Sequence, residues 1–310
     1  MSKRLNKKEV IIMRLSEAII KKKFIVTCEL APPKGTDVSS LIEISSKLNG
    51  LVDAVNLTDG QGGNMRMCPL AASVYVLKNN VDVIWQLTCR DRNRIALQAD
   101  CLGASALGIK NVLPMRGDDP KSGDNPDAKP VFELDTTELI KTISKLNQGL
   151  DMSDKELKGK TDLLIGCTAH PNAPDLQKQK ETLQQRFDIG ASFIQTQICY
   201  EIDQLKKFID SLGELAKKTI IGITPLKGLK MANYMNEKVF GVSVPQNIME
   251  RLEKSQDQRQ EGLNIAKEII EQLKKTNIGG VHIMAVGQEN ELPQIIQFLT
   301  DSKPSILPTH

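Results

Sequence analysis

The sequence predicts an α/β protein of the (β/α)8 class, the TIM-barrel architecture, with an extra helix ahead of the first strand. Three observations carry this. Eight short apolar runs recur along the chain, at 24–30, 52–58, 82–88, 109–115, 162–168, 192–198, 219–224 and 279–286. Each is rich in Val, Ile and Leu and nearly continuous rather than alternating, as strands buried on both faces are. A helical pattern follows the runs, and strand–helix alternation repeated eight times favours a closed barrel over an open sheet. The first run is followed by Ala31-Pro32-Pro33-Lys34-Gly35 rather than by a Gly-x-Gly-x-x-Gly turn, so a doubly wound dinucleotide fold is not indicated.

The elements follow in order. Residues 1–20 read as a helix before the barrel. Residues 37–49 read as a helix with Asp37 as its cap and Gly50 near its end. In 92–107, Ile95, Ala99, Leu102 and Ala106 recur at helical spacing and form the expected apolar stripe. The stretch 116–130 is long, polar and rich in Gly and Pro, hence a loop, and long loops in compact domains tend to be functional. Asp175, after Pro174, opens a helix over 175–189. Residues 201–218 and 257–276 are helical in pattern, and 225–256 hold more than one helix. Nothing reads as an inter-domain linker, so 1–310 is expected to be one barrel domain with 1–20 as a helical extension.

Composition narrows the function. At 310 residues the chain can bury a core without staples. Its net charge of +3 does not mark a nucleic-acid or membrane-surface binder, and 4% aromatics disfavours a base-stacking surface. The six cysteines, at 28, 68, 89, 101, 167 and 199, include no Cys-x-x-Cys, which argues against a zinc site or a disulfide framework and for a reducing compartment. Cys28, Cys89 and Cys167 lie at strand ends and read as small core residues. The basic N-terminus lacks the apolar core of a secretory signal, and no apolar run is long enough to span a bilayer. A cytoplasmic protein without a metal is the expectation.

In such a barrel the site lies where the strands end. The residues there are Glu29, Thr58 with Asp59, Thr88 with Cys89-Arg90-Asp91, Arg116-Gly117-Asp118, Thr168 with His170, Gln197 and Thr224. Glu29, between a buried strand and a Pro-Pro turn, reads equally as a desolvated general acid with a raised pKa or as a carboxylate paired with a nearby cation. Gly117 lets backbone approach a ligand, while Arg116 and Asp118 suit a phosphate or carbonyl and a ring N–H. The competing reading of this tripeptide is a salt-bridged structural loop; an adhesion motif would need an exposed extracellular loop. Of three histidines, His310 is terminal, His282 lies in the eighth strand as a core or barrel-lining residue, and His170 is placed for ligand contact.

Seven strings occur in order at these strand ends: CELAPPKG (28–35), NLTDG (56–60), QLTCRDRN (86–93), LPMRGDDP (113–120), HPNAPD (170–175), GASFIQTQ (190–197) and GITPLK (222–227). Together they resemble the flavin-dependent methylenetetrahydrofolate reductase family over about residues 20–300. The resemblance implies a (β/α)8 barrel of one-carbon metabolism that binds a flavin, FAD or else FMN, and reduces 5,10-methylenetetrahydrofolate to 5-methyltetrahydrofolate. It implies that Glu29 protonates the folate N10. It implies that Asp118 binds the pterin beside the flavin and that Gln197 hydrogen-bonds the pterin. Thr58, Arg116, Gly117, His170, Arg186 and, more weakly, Thr182 match flavin-contacting positions. Such roles are chemically coherent: a neutral carboxylic acid suits a weakly basic amine, and the flavin carries the redox step.

The departures concern electron supply. Gln86, at a cofactor-side position, stands where family members often have His. Thr168 replaces a common Tyr, Leu229 a Phe that packs against cofactor or substrate, and ICYEID (198–203) a more aromatic string. The donor is therefore open between NAD(P)H and a partner subunit or ferredoxin-type protein, and an oligomer or hetero-complex is expected. The alternatives are a flavin-free, methyltransferase-type barrel that binds methyl-folate or another pterin, and a structural subunit of a redox complex.

Overall fold

The computed structural model describes residues 14–21, 24–239 and 241–301. Eight parallel strands close into a barrel in chain order: β1 (Ile25–Leu30), β2 (Ala54–Leu57), β3 (Val83–Thr88), β4 (Asn111–Met115), β5 (Leu164–Ala169), β6 (Ala191–Ile198), β7 (Thr219–Ile223) and β8 (Gly280–Ile283). Closure is made by β1 against β8, with Cys28 opposite Ile283. All eight expected strands are present. Around them lie α2 (Ser39–Leu48), α3 (Pro69–Lys78), α4 (Arg94–Ala106), α5 (Thr136–Gln148), α6 (Leu176–Asp188), α7 (Ile202–Leu212), α8 (Leu229–Lys238), α9 (Gln246–Lys254), α10 (Gln258–Leu273) and α11 (Leu292–Thr300). A short helix, α1 (Leu15–Ile20), precedes the barrel; the rest of the expected 1–20 extension lies outside the described residues.

The caps explain several boundaries. Asp175 accepts the Lys178 amide and Asp257 that of Gln260, each closing the first turn of its helix. Asp135 and Glu138 form a reciprocal capping box on α5. Asp37 does not take the cap position expected of it. Val38 stands there, and Asp37 reaches the Ser39 amide from one residue earlier. The stretch 116–130 is a loop with two tight turns, Pro120–Ser122 and one closed by the Ala128 amide on the Asn125 carbonyl.

The expected apolar stripe of the fourth helix is a second correction. Ile95 and Leu102 are 73% and 41% exposed, and Ala99 and Ala106 also face solvent. The buried face of α4 is Leu97, Cys101 and Ala104. Two of the three are small, so the face that packs is not the more apolar-looking one.

Period-2 alternation sorts the strands into two surfaces. Outward residues such as Trp85, Leu87 and Val55 join the shell beneath the helices. Inward residues form layers. The lowest is apolar: Ile25, Ala54, Ile84, Leu113, Phe193 and Ile220, closed from below by Leu15 and Ala18 of α1. The Leu15 amide is held by buried Asp82, which also accepts from Asn111. Gly166 belongs to this packing, since a Cβ there would lie 2.5 Å from the Phe193 ring. Two residues higher the interior turns polar on five strands, with Thr27, Asn56, Gln86, Gln195 and His282. Two higher again stand Glu29, Thr58, Thr88, Thr168, Gln197 and Thr224, at the mouth.

Candidate active site

Glu29 is the penultimate residue of β1, its side chain 13% exposed. The Gln86 amide donates to its Oε2 at 3.4 Å, and His282 Nε2 stands 3.9 Å from the same oxygen. No lysine or arginine pairs with it among the described residues, so the cation-paired reading of Glu29 does not describe this site. His282 is fully buried. Its Nδ1 is hydrogen-bonded to Thr27 Oγ1 at 2.9 Å, while its Nε2 has no partner. Asn56 donates to Gln195 Oε1 across the barrel at 3.0 Å, leaving its own Oδ1 unpaired. The Thr58 and Thr224 hydroxyls at the mouth are likewise buried and unpaired. Buried polar atoms are normally satisfied, so unpaired ones gathered at a strand-end mouth mark a place for a polar ligand.

The rim over β2–β4 is tightly tied. Asp59 accepts from the Thr88 amide and hydroxyl, both at 2.9 Å, and from Arg92 at 2.7 Å. Arg92 also pairs with Asp100 at 2.8 Å. Buried Arg90 pairs with Asp91 and donates to the carbonyls of Asp59, Gly60 and Asp118. Asp118, exposed on the β4 loop, accepts the Gly62 amide at 2.7 Å. Asp124 accepts the Met65 amide at 2.9 Å and pairs with Lys34, which holds its carboxyl well below the usual carboxylate range. These loops touch main chain to main chain, since a Cβ on Gly123 would lie 1.9 Å from the Gly63 carbonyl oxygen. Gly117 has φ +85°, and a Cβ there would press on Thr88 and Arg90 at 3.0 Å. The salt-bridged reading of Arg116-Gly117-Asp118 is not what forms. Arg116 lies over the Phe132 ring, 4.2 Å from its centre, and Asp118 is bonded to backbone.

Beyond β5, Arg186 of α6 donates to the Thr168 carbonyl at 3.3 Å and to Thr137 at 3.4 Å. His170 is pinned by Gln179, which bonds both its amide and its carbonyl. Desolvation of the ring, then the charge of Arg186, lowers the His170 pKa, which keeps the imidazole neutral at pH 7. Thr168, His170 and Arg186 therefore come together. The Thr182 hydroxyl is spent on the Lys178 carbonyl of its own helix. On β6 the register against β7 shifts between Gln195 and Ile198, and Gln197 Oε1 accepts the Ile198 amide, leaving its Nε2 free of partners among the described residues.

Sequence reasoning passed over three groups: Arg90 as a tie between loops, the Asn56–Gln195 bridge, and the contact of His282 with Glu29. Asn56 and Gln195 each interrupt an otherwise apolar strand, and that interruption was a readable sign of a polar interior. The four buried thiols with neighbours in this upper half, Cys28, Cys89, Cys167 and Cys199, all have raised pKa values from burial, with Cys89 and Cys199 at about 11 and Cys167 at about 12. They are core residues rather than nucleophiles.

Three comparisons bear on the assignment. The chain is 24% identical over 305 residues to methylenetetrahydrofolate reductase 1 of Schizosaccharomyces pombe, with 93% of this chain and 48% of that one covered. It is 22% identical to 5,10-methylenetetrahydrofolate reductase of Pectobacterium carotovorum, with 73% and 71% covered. The chain thus spans about half the length of the fungal relative. A 2,3-dimethylmalate lyase of the PEP mutase/isocitrate lyase superfamily superposes with a TM-score of 0.50 at 12% identity over 95% of this chain and 88% of that one, a likeness of fold. The family model described as methylenetetrahydrofolate reductase matches residues 14–300, which takes in every strand, the Glu29 neighbourhood and both rims of the mouth, and the chain belongs to that family.

Proposed function

We propose that this chain is a flavin-dependent reductase that converts 5,10-methylenetetrahydrofolate to 5-methyltetrahydrofolate. The observation that carries the proposal is the setting of Glu29: an inward carboxyl at the mouth, touched by an amide and an imidazole and paired with no lysine or arginine among the described residues. Such a group is suited to hold a proton and release it to a bound base.

The residues fit a flavin. Thr58 offers an unpaired buried hydroxyl, Gly117 exposes backbone, and Arg116, His170 and Arg186 line the β4–β5 side where a phosphate chain needs donors. Thr182 is a poorer candidate because its hydroxyl is already bonded. Gln86 lies between this side and Glu29. FAD is the proposed form, with FMN as the alternative. When bound, the flavin would supply the hydride that reduces the methylene carbon.

The chain's own part is to bind, orient and protonate. Asp118 keeps one carboxylate oxygen on Gly62 and presents the other to a ring N–H of the pterin, while Gln197 offers its free Nε2 to a pterin acceptor. Glu29 gives its proton to N10, the bond from N10 to the methylene carbon breaks, and N5 takes the positive charge as an iminium. Arrival of hydride at that carbon completes the methyl group. His282, bonded to Thr27, keeps a second polar group beside the carboxyl while it recharges.

The test is anaerobic. The flavin-loaded chain is reduced and mixed with methylenetetrahydrofolate, and flavin absorbance is followed. Rapid reoxidation is expected in the native chain, slowed by about 10²- to 10⁴-fold in Glu29→Gln with flavin still bound. A loaded native chain that is not reoxidised overturns the proposal in favour of a different C1 carrier or a subunit of a redox complex, and a chain that takes up no flavin overturns it in favour of the methyltransferase-type reading. Donor choice is read separately: NADH oxidation with menadione as acceptor identifies a pyridine-nucleotide donor, and its absence in a chain that passes the first test identifies a partner protein.

A further inference from the structure

Helix α4 carries an apolar face that none of the roles above uses. Ile95, Ala99, Leu102 and Ala106 stand on it in steps of four, three and four residues, and all four are exposed. That spacing is the seam two helices bury when they pack side by side as a coiled coil. At 3.6 residues per turn the four side chains fall within about 60° of one another. They point away from Leu97, Cys101 and Ala104, which face the barrel. The stripe therefore looks straight out and runs about 16 Å along the helix. Four apolar positions in one line form a patch, which a surface of scattered apolar residues does not.

The surroundings of the stripe suit a contact. Gln98 and Ser105 flank it on one side and carry no charge. Gln98 is spent on its own chain: it donates to the Arg94 carbonyl and accepts the Met152 amide. On the other side lie Ala96, Gly103 and exposed Leu107. A Cβ on Gly103 would lie 4.0 Å from Leu70 Cδ2 of α3, so the apolar surface continues onto the neighbouring helix. The charged groups of α4 stand at its margins and are already paired, Arg94 with Glu133 and Asp100 with Arg92. Covering the stripe strands no charge.

Side-chain size names the occupant. Along the stripe, large Ile95 and Leu102 alternate with small Ala99 and Ala106. We infer that the stripe is the contact between two copies of this chain, α4 against α4, antiparallel about a two-fold axis. Turned end for end, the stripe is its own complement: Ile95 of one copy meets Ala106 of the other, and Leu102 meets Ala99, as a self-complementary two-fold contact requires. Each large side chain fills the space that a small one leaves, and the alanines let the two helices come close. A parallel pair would set Leu102 on Leu102 and Ala99 on Ala99, crowding one layer and leaving a void in the next. The contact is a single seam of three turns, near the low end of the roughly 1,000–1,200 Å² that specific interfaces bury. A weak dimer is therefore expected, with a Kd of about 10–100 µM. Because this face is turned away from the barrel, the inference does not depend on the reductase reading.

The experiment is sedimentation velocity on the full chain from about 1 to about 300 µM, which brackets the expected Kd. The native chain is expected to pass from monomer to dimer across that range. Leu102→Glu buries a carboxylate in the seam and should weaken association by more than about a hundredfold, leaving monomer throughout. Ala99→Leu overfills one layer and Leu102→Ala empties it, and each alone should weaken the dimer by about tenfold. Ala99→Leu combined with Leu102→Ala only exchanges large for small, and should restore the native Kd to within about threefold. Melts at about 1 µM, where the chain is monomeric, show that each variant is folded. A native chain that stays monomeric at every concentration overturns the inference. So does an assembly that survives Leu102→Glu, or a double variant that associates no better than the two single ones.

Discussion

Over β2–β4, the loops that leave the barrel are tied by buried Arg90 and half-buried Arg92, three aspartates and a main-chain contact. Over β7–β8, the connections are joined by Lys227 to Gly287 and by Arg259 to Gln288 and Glu291, and they leave apolar side chains and cationic charge facing solvent. Both rims are strand-end loops on the same sheet. The difference teaches where each kind of precision is needed. A carboxylate proposed to meet one ring N–H, as Asp118 is here, sits on the tied rim, where a bond to the Gly62 amide fixes it.

The contrast can be broken from its rigid side first. Gly123→Ala places a methyl group where the Gly63 carbonyl now sits, so the β2 and β4 loops must part. The cost is expected to be about 3–4 kcal/mol, confined to these loops. Hydrogen exchange at Gly62 and Met65, whose amides now bond Asp118 and Asp124, reads it directly. Asp59→Asn is the next largest. It keeps the volume but removes the charge opposite Arg92, which retains Asp100. A loss of about 2 kcal/mol is expected in a denaturant melt, well below the cost of stranding an arginine completely. On the open rim, Val286→Ser should change stability by less than about 0.5 kcal/mol, since the side chain is already in water. A larger loss there would show that the rim is packed rather than open.

The smallest effect is one of pH. His170 binds its proton less readily in the folded chain than at its ordinary value of 6.5, because its ring is desolvated and faces Arg186. The unfolded chain therefore takes up more protons from this group. Its contribution to stability is complete above pH 6.5 and is lost as the pH falls through 6.5 toward the folded value. Melts of native and His170→Gln chains at pH 7.5 and 5.5 check the sign: the native chain should lose more stability on acidification than the variant.

Much of the barrel was legible because each strand carries its own signal. β3, Val83–Thr88, is buried throughout and reads as a nearly continuous apolar run interrupted by Gln86. The caps at Asp175 and Asp257 follow from local chemistry that no distant contact overrides. The stripe Ile95, Ala99, Leu102 and Ala106 was misleading because spacing fixes a face but not which way it points. The face that packs carries Leu97 with two small residues, Cys101 and Ala104, a weaker apolar signal than Ile95 and Leu102. At the site, Glu29 and its isolation from cations depended on what eight strands bring together, so the sequence left its two readings equal. Arg90 was invisible as a tie because its acceptors are main-chain carbonyls of two other loops, and a carbonyl leaves no mark on residue type.

The distribution of thiols has a practical consequence. Five cysteines are buried, and one, Cys68, is exposed immediately before α3, at the end of the loop that carries Gly62 and Gly63. Alkylating reagents act on the thiolate, which burial suppresses at the other five. The native chain therefore offers a single chemical handle at the edge of its rigid rim. A fluorophore or spin label attached there would report whether the tied loops shift when ligand enters from the opposite side, with no engineered cysteine and no thiol removed.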